Sequence, residues 1–274
     1  MKRSYQTMQW VILISLTISS IQAAQPVFSE MPRWDNGWGF QVVEEYRTES
    51  ELLSGEDTIG SGLSEDVHIM HFEGVYTWDR SIRLTVKLPY VISARRELPG
   101  AGGGKIVQHD EGLGDMSLAL PLKKYFNLDG RSGSWTLAPQ LKIPLSGSDD
   151  YEIYDNVWGH GISLGYETET HRWIFGIGST SWIYHNDEPI ESELDLKVGM
   201  NIQAFGGSGS IKWKSSFHYE GDNSMTFKAG PVLYWRFTDA IHGQFSYQHD
   251  FYDRQGTIDH GRGETFKLGV GFVF

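Results

Sequence analysis

The hydrophobic pattern of the chain is clearest in its last twelve residues, GETFKLGVGFVF. Large apolar residues occupy every second position there, and lysine, glycine and valine lie between them. Successive side chains of a β-strand point to opposite faces, so this alternation predicts a strand with one continuous apolar face. The apolar positions are Phe266, Leu268, Val270, Phe272 and Phe274.

The same period of two recurs from Trp38 onward, whereas helical spacing is nowhere convincing. Twelve strands are predicted, at about 37–47, 67–78, 82–91, 115–126, 135–145, 157–167, 172–184, 193–205, 211–220, 225–237, 241–252 and 264–274. Short turns such as DRS and TDA alternate with longer, often acidic connections. An even strand number with tight turns at one end and long loops at the other is typical of bacterial outer-membrane barrels. We therefore predict an all-β fold, a closed antiparallel transmembrane β-barrel of about 12 strands, over residues 37–274.

Aromatic residues mark both ends of the predicted apolar faces. With the short turns assigned to the periplasm, that end carries Trp38, Trp78, Trp135, Trp173, Trp213 and Trp235, and the opposite end carries Tyr90, Trp158, Tyr219, Phe227, Phe251 and Phe266. Amphipathic rings favour the headgroup level of a bilayer, so two belts around a lipid-facing band are expected. A secreted β-sandwich is the alternative, but it would not place large aromatics on its outer face at both strand ends.

The N-terminus has the features of a secretory signal. Lys2 and Arg3 precede an apolar core at residues 11–21, and Ala23 and Ala24 offer a small-residue cleavage site. We predict a signal peptide over residues 1–24, with a membrane anchor as the alternative. Residues 25–36 would follow as an N-terminal leader, for which a plug of the barrel is the less favoured interpretation.

Charge and cysteine content narrow the partners. Without Lys2 and Arg3, the 23 basic residues fall to 21 against 35 acidic ones, a formal net charge of −14. This balance argues against nucleic acid as a partner, because phosphates require a basic surface. The chain has no cysteine, so it does not depend on disulfides. We expect the outer membrane as the location, with its lipids and the barrel-assembly machinery as partners, because the alternating C-terminal strand ending in Phe274 resembles the assembly signal of such barrels.

The faces opposite the apolar ones carry charges of both signs and should line the lumen. Buried charges need partners, so they either close the barrel as cross-strand ion pairs or guide a solute, and one set can do both. Twelve strands lie between barrels of about 8 strands, which side chains fill, and barrels of about 16, which hold an aqueous channel. We predict passive or facilitated diffusion of a small solute through the lumen, with hydrophobic or aromatic compounds among the candidates, and no cofactor. The predicted lining residues are Arg83, Lys87, Asp115, Lys123, Lys142, Glu193, Asp195, Lys197, Lys228, Arg236 and Asp250.

Two prolines interrupt the pattern in the middle of predicted strands four and five. Pro121 and Pro139 cannot donate to a strand ladder. They indicate either a pair of bulges or a kink that opens the wall sideways toward lipid and delivers an apolar solute.

The segments EGLGDMSLALPLKKYF and WTLAPQLKIPLSGSDD resemble the MetA-pathway of phenol degradation family of outer-membrane proteins. The first contains the Gly-x-Gly-Asp turn of that family at residues 112–115, and the second its Pro-containing loop start at residues 143–147, where the family's threonine is missing. The resemblance implies a barrel related in role to channels for aromatic or other hydrophobic compounds.

Other functions have weaker support in the sequence. A lipid-modifying barrel needs a Ser–His pair at headgroup level, and no motif connects His160 with Ser179 or Ser181. His68 and His71 point to opposite faces of one strand, and the acidic loop SGSDDYEIYD does not match an EF-hand calcium loop. We therefore predict that the protein is not an enzyme and has no metal site. The alternative function is that of a lipid-modifying enzyme or of a structural, adhesive surface barrel.

Overall fold

The computed structural model describes residues 31, 33–54, 57–99, 104–147, 153–154, 156–186, 189–204, 207–221, 224–255, 258–260 and 263–274. The predicted signal peptide and most of the predicted leader lie outside these residues. Within the described part of the chain, no helix is long and apolar enough to cross a membrane.

Fifteen antiparallel β-strands form a single sheet. The strands are β1 (Gly37–Ser54), β2 (Asp57–Asp79), β3 (Ile82–Pro99), β4 (Lys105–Leu113), β5 (Met116–Ala119), β6 (Leu122–Leu128), β7 (Arg131–Ile143), β8 (Gly159–Glu169), β9 (Trp173–Tyr184), β10 (Glu191–Ala204), β11 (Gly207–Glu220), β12 (Ser224–Arg236), β13 (Ile241–Gln255), β14 (Ile258–His260) and β15 (Glu264–Val273). Segments β4, β5 and β6 follow one another beside β3, and β14 and β15 both lie between β13 and β1. The wall therefore has twelve strand positions, as the sequence predicts.

The sheet closes on itself through its first and last strands. β1 and β15 pair from Gly39↔Val273 to Thr48↔Glu264. The closure extends to the last residue, because the Trp38 and Phe274 backbones exchange two hydrogen bonds of 3.1 and 3.0 Å. Hydrocarbon cannot satisfy backbone N–H and C=O groups, so a membrane-spanning sheet has to close in this way.

Burial in this barrel is the reverse of that in a water-soluble protein. Along β7, Ser134, Thr136 and Gln140 are buried, whereas Trp135 is 60% exposed and Leu137 is 41% exposed. The buried face points into the lumen and the exposed apolar face points to lipid, as in outer-membrane barrels. The alternation in the sequence therefore has the expected orientation.

Exposed aromatics form a belt at each end of the apolar band. Trp38 and Trp135 contact Tyr76 and Tyr166, with ring centroids 4.7 and 4.6 Å apart, at the short-turn end. The other exposed belt residues are Trp78, Trp173 and Trp213 at that end and Tyr90, Trp158, Tyr219 and Phe251 at the other. On the last strand, Leu268, Val270, Phe272 and Phe274 are exposed on the outer face. Recognition of this strand by assembly machinery stays a prediction.

Several strands at the long-loop end extend further than predicted. β2 begins at Asp57, β3 continues to Pro99, and β4 lies within a segment that the sequence predicts to be a loop. The sequences of these extensions contain many polar and charged residues and lack the regular apolar alternation that predicts a strand in lipid. Lys105 and Arg95 form ion pairs with Glu97 there, and donation from Lys105 lowers the pKa of the Glu97 carboxyl.

The two mid-strand prolines have different environments. Pro121 lies in the break between β5 and β6, whereas Pro139 remains inside β7. Register does not change across the break, because Ala119 pairs with Gln140 before it and Leu122 pairs with Leu137 after it. The Leu120 N–H also donates to the Pro139 carbonyl at 3.0 Å, so pairing between these strands continues past both prolines.

Candidate functional site: the barrel lumen

The structure places most of the predicted lining residues on the inner face. Buried are Arg83, Lys87, Asp115, Glu193, Asp195, Lys197 and Asp250, and half-buried on the same face are Lys123, Lys142 and Lys228. Arg236 lies opposite His242 and so shares this face, but it is exposed at the periplasmic end of β12, where its guanidinium is 4.0 Å from the fully exposed Asp239. The lumen is thus lined mainly by charged and polar side chains.

A carboxylate on β1 organises one side of the lumen. Glu45 is buried and lies 2.8 Å from Lys267 on β15, 3.3 Å from Arg47 and 2.7 Å from His71 on β2. Three strands are thereby joined through one acidic group. Charge-assisted hydrogen bonds of this length are roughly twice as strong as neutral ones, so Glu45 holds several cationic or polar groups in place.

A second chain of contacts continues from this group toward the periplasm. The Gln41 amide donates to Glu73 at 3.2 Å and accepts from His242 on β13 at 3.0 Å, while Lys87 lies opposite Glu73 in the β2–β3 register. β15 separates β13 from β1, and a Cβ at Gly271 would lie 2.3 Å from the His242 ring. Gly271 therefore leaves the room that His242 needs to reach Gln41. We call the inner faces of β13, β15, β1, β2 and β3 the charged wall.

Further ion pairs line the lumen beyond that network. Asp195 on β10 lies 2.9 Å from Lys214 and accepts a hydrogen bond of 2.5 Å from Ser216. Lys142 lies 3.7 Å from Asp115. In each case a basic and an acidic group on neighbouring strands compensate one another, as buried charges require.

An acidic group lies near the long-loop end between β1 and β13. One carboxylate oxygen each of Glu49, Asp250 and Asp253 lies within 4.8 Å of the others. Lys228 compensates part of this charge at 3.3 Å from Asp250, and a Cβ at Gly263 would lie 2.5 Å from the same carboxylate. A side chain at position 263 would therefore collide with the Asp250 carboxylate, and the Lys228 ammonium offsets part of the negative charge of the three carboxyl groups.

The opposite side of the lumen carries few charges: Lys142 and Glu167 lie toward its two ends, and the stretch between them is neutral. The Gln140 amide donates to Ser163 at 2.6 Å, and the Ser163 hydroxyl lies 2.6 Å from that of Thr180. The rings of Trp182 and Tyr184 pack over Gly161 and Gly159, their partners on β8. A side chain at either glycine would collide with the ring. We call the inner faces of β7, β8 and β9 between Lys142 and Glu167 the neutral wall.

Charge sign changes along the axis of the lumen. On β10, from the long-loop end downward, the buried residues include Glu193, Asp195 and then Lys197. The segments β4, β5 and β6 together occupy the fourth strand position of the wall. Along this position, Asp115 lies toward the long loops and Lys123 toward the short turns. The outer half of the lumen is therefore more acidic than the periplasmic half, which favours cations at the outer mouth.

Two residues of the predicted leader lie in the periplasmic mouth. The Trp34 ring covers Gly39, where a Cβ would lie 2.3 Å from it, and the Arg83 guanidinium is 4.7 Å from the ring centroid. Arg33 donates to the Arg80 carbonyl at 3.0 Å. These contacts narrow the short-turn end of the lumen.

Sequence reasoning missed the uncharged residues that occupy the lumen. Trp34, Trp182 and Tyr184 are large aromatics, a residue type that the sequence pattern predicts at the lipid interface. Ile153 and Tyr154 belong to the acidic connection between β7 and β8, and both are buried. A signal for two of them was present: Gly159 and Gly161 are small inward positions on a strand that pairs with β9.

A closed, twelve-position antiparallel barrel with aromatic belts, an apolar outside and a charged inside is the architecture of an outer-membrane β-barrel. Solved structures agree in fold. The COG4313 outer membrane channel from Pseudomonas putida F1 is 15% identical with a TM-score of 0.69, over 90% of this chain and 98% of that chain. The NanC porin is 14% identical with a TM-score of 0.51, over 85% of this chain and 98% of that chain. No curated protein sequence matches the chain.

The family model described as MetA-pathway of phenol degradation matches residues 53–266. This match covers most of the chain, so the protein belongs to that family. The resemblance found at residues 112–115 and 143–147 is thereby confirmed, and the protein is located in the outer membrane.

Proposed function

We propose that the protein conducts small, polar or charged solutes across the outer membrane by diffusion along the axis of its lumen. The observation that carries the proposal is the inverted burial: acidic, basic and polar side chains line the inside, and large apolar residues cover the outside. A lumen of this kind lowers the cost of moving a charged solute through the membrane, because its fixed charges replace part of the solute's hydration.

Passage along the axis has more support than passage through the wall. Strand pairing continues in one register past Pro121 and Pro139. A sideways exit for hydrophobic or aromatic compounds would require these strands to separate.

Planar-bilayer recording of the purified protein tests the proposal. We expect discrete conductance steps in KCl and a preference for cations when the salt gradient is applied across the bilayer. Liposome swelling should be faster with small amino acids or sugars than with larger oligosaccharides. Folded protein that gives neither conductance nor swelling would refute the channel function, and turnover of phospholipid by the same sample would favour an enzyme.

A further inference from the structure

Three carboxyl groups from the two ends of the chain meet on the inner face of the barrel near the long loops. Glu49 lies on β1, and Asp250 and Asp253 lie on β13. One oxygen of each group lies within 4.8 Å of the oxygens of the other two. Calcium binds carboxylate oxygens at about 2.3–2.6 Å, so two oxygens that share one ion lie at most about 5 Å apart. The group therefore has the dimensions of a calcium site.

A β-bulge in β13 brings both aspartates to the inner face. Residues three apart on a regular strand point to opposite faces. The register between β12 and β13 shifts by one residue at Phe251. Phe251 and Tyr252 are consequently both exposed on the outside, whereas Asp250 and Asp253 are each 4% exposed. Bulges re-aim side chains next to functional sites, and this bulge directs a second carboxylate into the lumen.

A glycine lets carboxylates of β13 and β1 approach each other across the strand position between them. The Asp250 N–H donates to the Gly263 carbonyl at 2.8 Å. A Cβ at Gly263 would lie 2.5 Å from the Asp250 carboxylate and 3.0 Å from Cγ of Glu49. Any side chain at this position would therefore collide with both acidic groups and push them apart.

Two further observations point to a bound cation. The Asp250 side chain is 3% exposed, and its Oδ1 has no hydrogen-bond partner among the described residues. A buried carboxylate oxygen without a partner is costly, and coordination to a cation removes that cost. Glu49 also lies directly opposite Glu65 in the β1–β2 register, and like charges in that arrangement are destabilising. Lys228, at 3.3 Å from Asp250, and Arg96, at 2.7 Å from Glu65, offset part of the charge.

We propose that Glu49, Asp250 and Asp253 bind one calcium ion, which joins β13 to β1 at the long-loop end of the barrel. Oxygen ligands of this kind suit calcium, magnesium or manganese rather than zinc or copper. Magnesium requires near-ideal octahedral geometry at shorter distances, whereas calcium tolerates an irregular set of about six to eight oxygens that includes water. The ion stabilises the barrel where its first and last strands meet, a role separate from solute passage. No sequence motif predicts this site, because its ligands lie at opposite ends of the chain and depend on a bulge.

Isothermal titration of the purified, folded protein with CaCl2 after chelator treatment tests the proposal. We expect one calcium ion per chain with a Kd of about 0.1–1 mM, as in extracellular calcium sites, and weaker binding of MgCl2. Calcium should also raise the urea concentration at which half of the protein unfolds. Binding should not depend on whether the protein conducts ions. Absence of calcium binding by the folded, unsubstituted protein would overturn the site and leave the channel function untouched.

Two variants locate the ion. Asp253→Asn removes one ligand charge but keeps an oxygen that can accept the 3.0 Å hydrogen bond from Thr226. Gly263→Ala crowds the carboxylates without changing any charge. Both should weaken calcium binding by about tenfold or more, because affinity follows ligand charge and geometry, and both should lose the calcium-dependent rise in the urea midpoint. Unchanged calcium binding by the two folded variants would place the ion elsewhere and overturn the proposal.

Glu264→Gln is the matched control. Glu264 follows Gly263 directly but points to the outer face, because the next residue, Thr265, is buried on the inner face. Its carboxylate accepts from the Tyr247 hydroxyl at 3.3 Å. The variant removes the same charge as Asp253→Asn at the same end of the barrel, and calcium binding should stay unchanged. Equal weakening by the two variants would show a general effect of surface charge and would also overturn the site. Heat-modifiable gel migration checks that each barrel is folded.

Discussion

The charged wall and the neutral wall face each other across one lumen, but ion pairs stabilise the first and neutral hydrogen bonds stabilise the second. Glu45 joins Lys267, Arg47 and His71 by charge-assisted contacts. On the neutral wall, Gln140, Ser163 and Thr180 are joined by neutral hydrogen bonds. Removing one charged partner leaves the other charges uncompensated. Removing one hydroxyl leaves only a neutral group without its hydrogen bond, which costs less free energy of unfolding. The charged wall should therefore control both stability and ion selectivity, and the neutral wall should control mainly the shape of the pore.

The largest effect is expected from Glu45→Gln on the charged wall. Removing one member of a buried ion pair typically costs about 3–5 kcal/mol, and we expect a loss toward the lower end because the lumen admits water. Selectivity should shift toward anions, since Lys267 and Arg47 lose their partner. Denaturant unfolding in detergent and the reversal potential in a KCl gradient measure the two effects.

Glu44→Gln is the matched control for that variant. Glu44 is the neighbouring residue on the outer face, where it is 49% exposed and pairs with the exposed His68. We expect little change in unfolding or reversal potential. If the two variants behaved alike, the distinction between inner and outer charges would be wrong.

A smaller effect is expected from Ser163→Ala on the neutral wall. The change removes one hydroxyl that contacts both Gln140 and Thr180, at about 1–2 kcal/mol for the free energy of unfolding. The reversal potential should not move, because no charge is altered. Ser179→Ala on the exposed face of β9 is the control, with no hydrogen bond to lose from the lumen. A clear shift in selectivity with Ser163→Ala would contradict the proposed division between the walls.

The smallest effect on ion conductance is expected from the double change Pro121→Val and Pro139→Val. Both prolines belong to strands whose pairing is already continuous, so valine should leave conductance unchanged. The informative measurement is uptake of a hydrophobic probe into vesicles containing the protein. Slower uptake by the double variant at equal conductance would support a sideways exit near these residues, whereas unchanged uptake would argue against it.

Several features of the lumen could be predicted from single strands. Lys87, Asp195 and Asp250 follow the period of two, so their inward orientation was readable from the pattern. Their pairing was not readable in the same way. Asp195 meets Lys214 and Asp250 meets Lys228 because of the register between neighbouring strands, and register depends on how the whole sheet closes.

The sequence by itself determined the barrel, because lipid outside and polar groups inside require a period of two along every membrane-crossing strand. The sequence also places glycines, among them Gly114, Gly161 and Gly271, where a side chain would collide with an inward-pointing ring. Only the tertiary structure decided which rings fill those spaces. Tyr154 reaches its place through a loop, Trp182 through an adjacent strand and Trp34 from the N-terminal side, and such long-range placement leaves no local periodic signal.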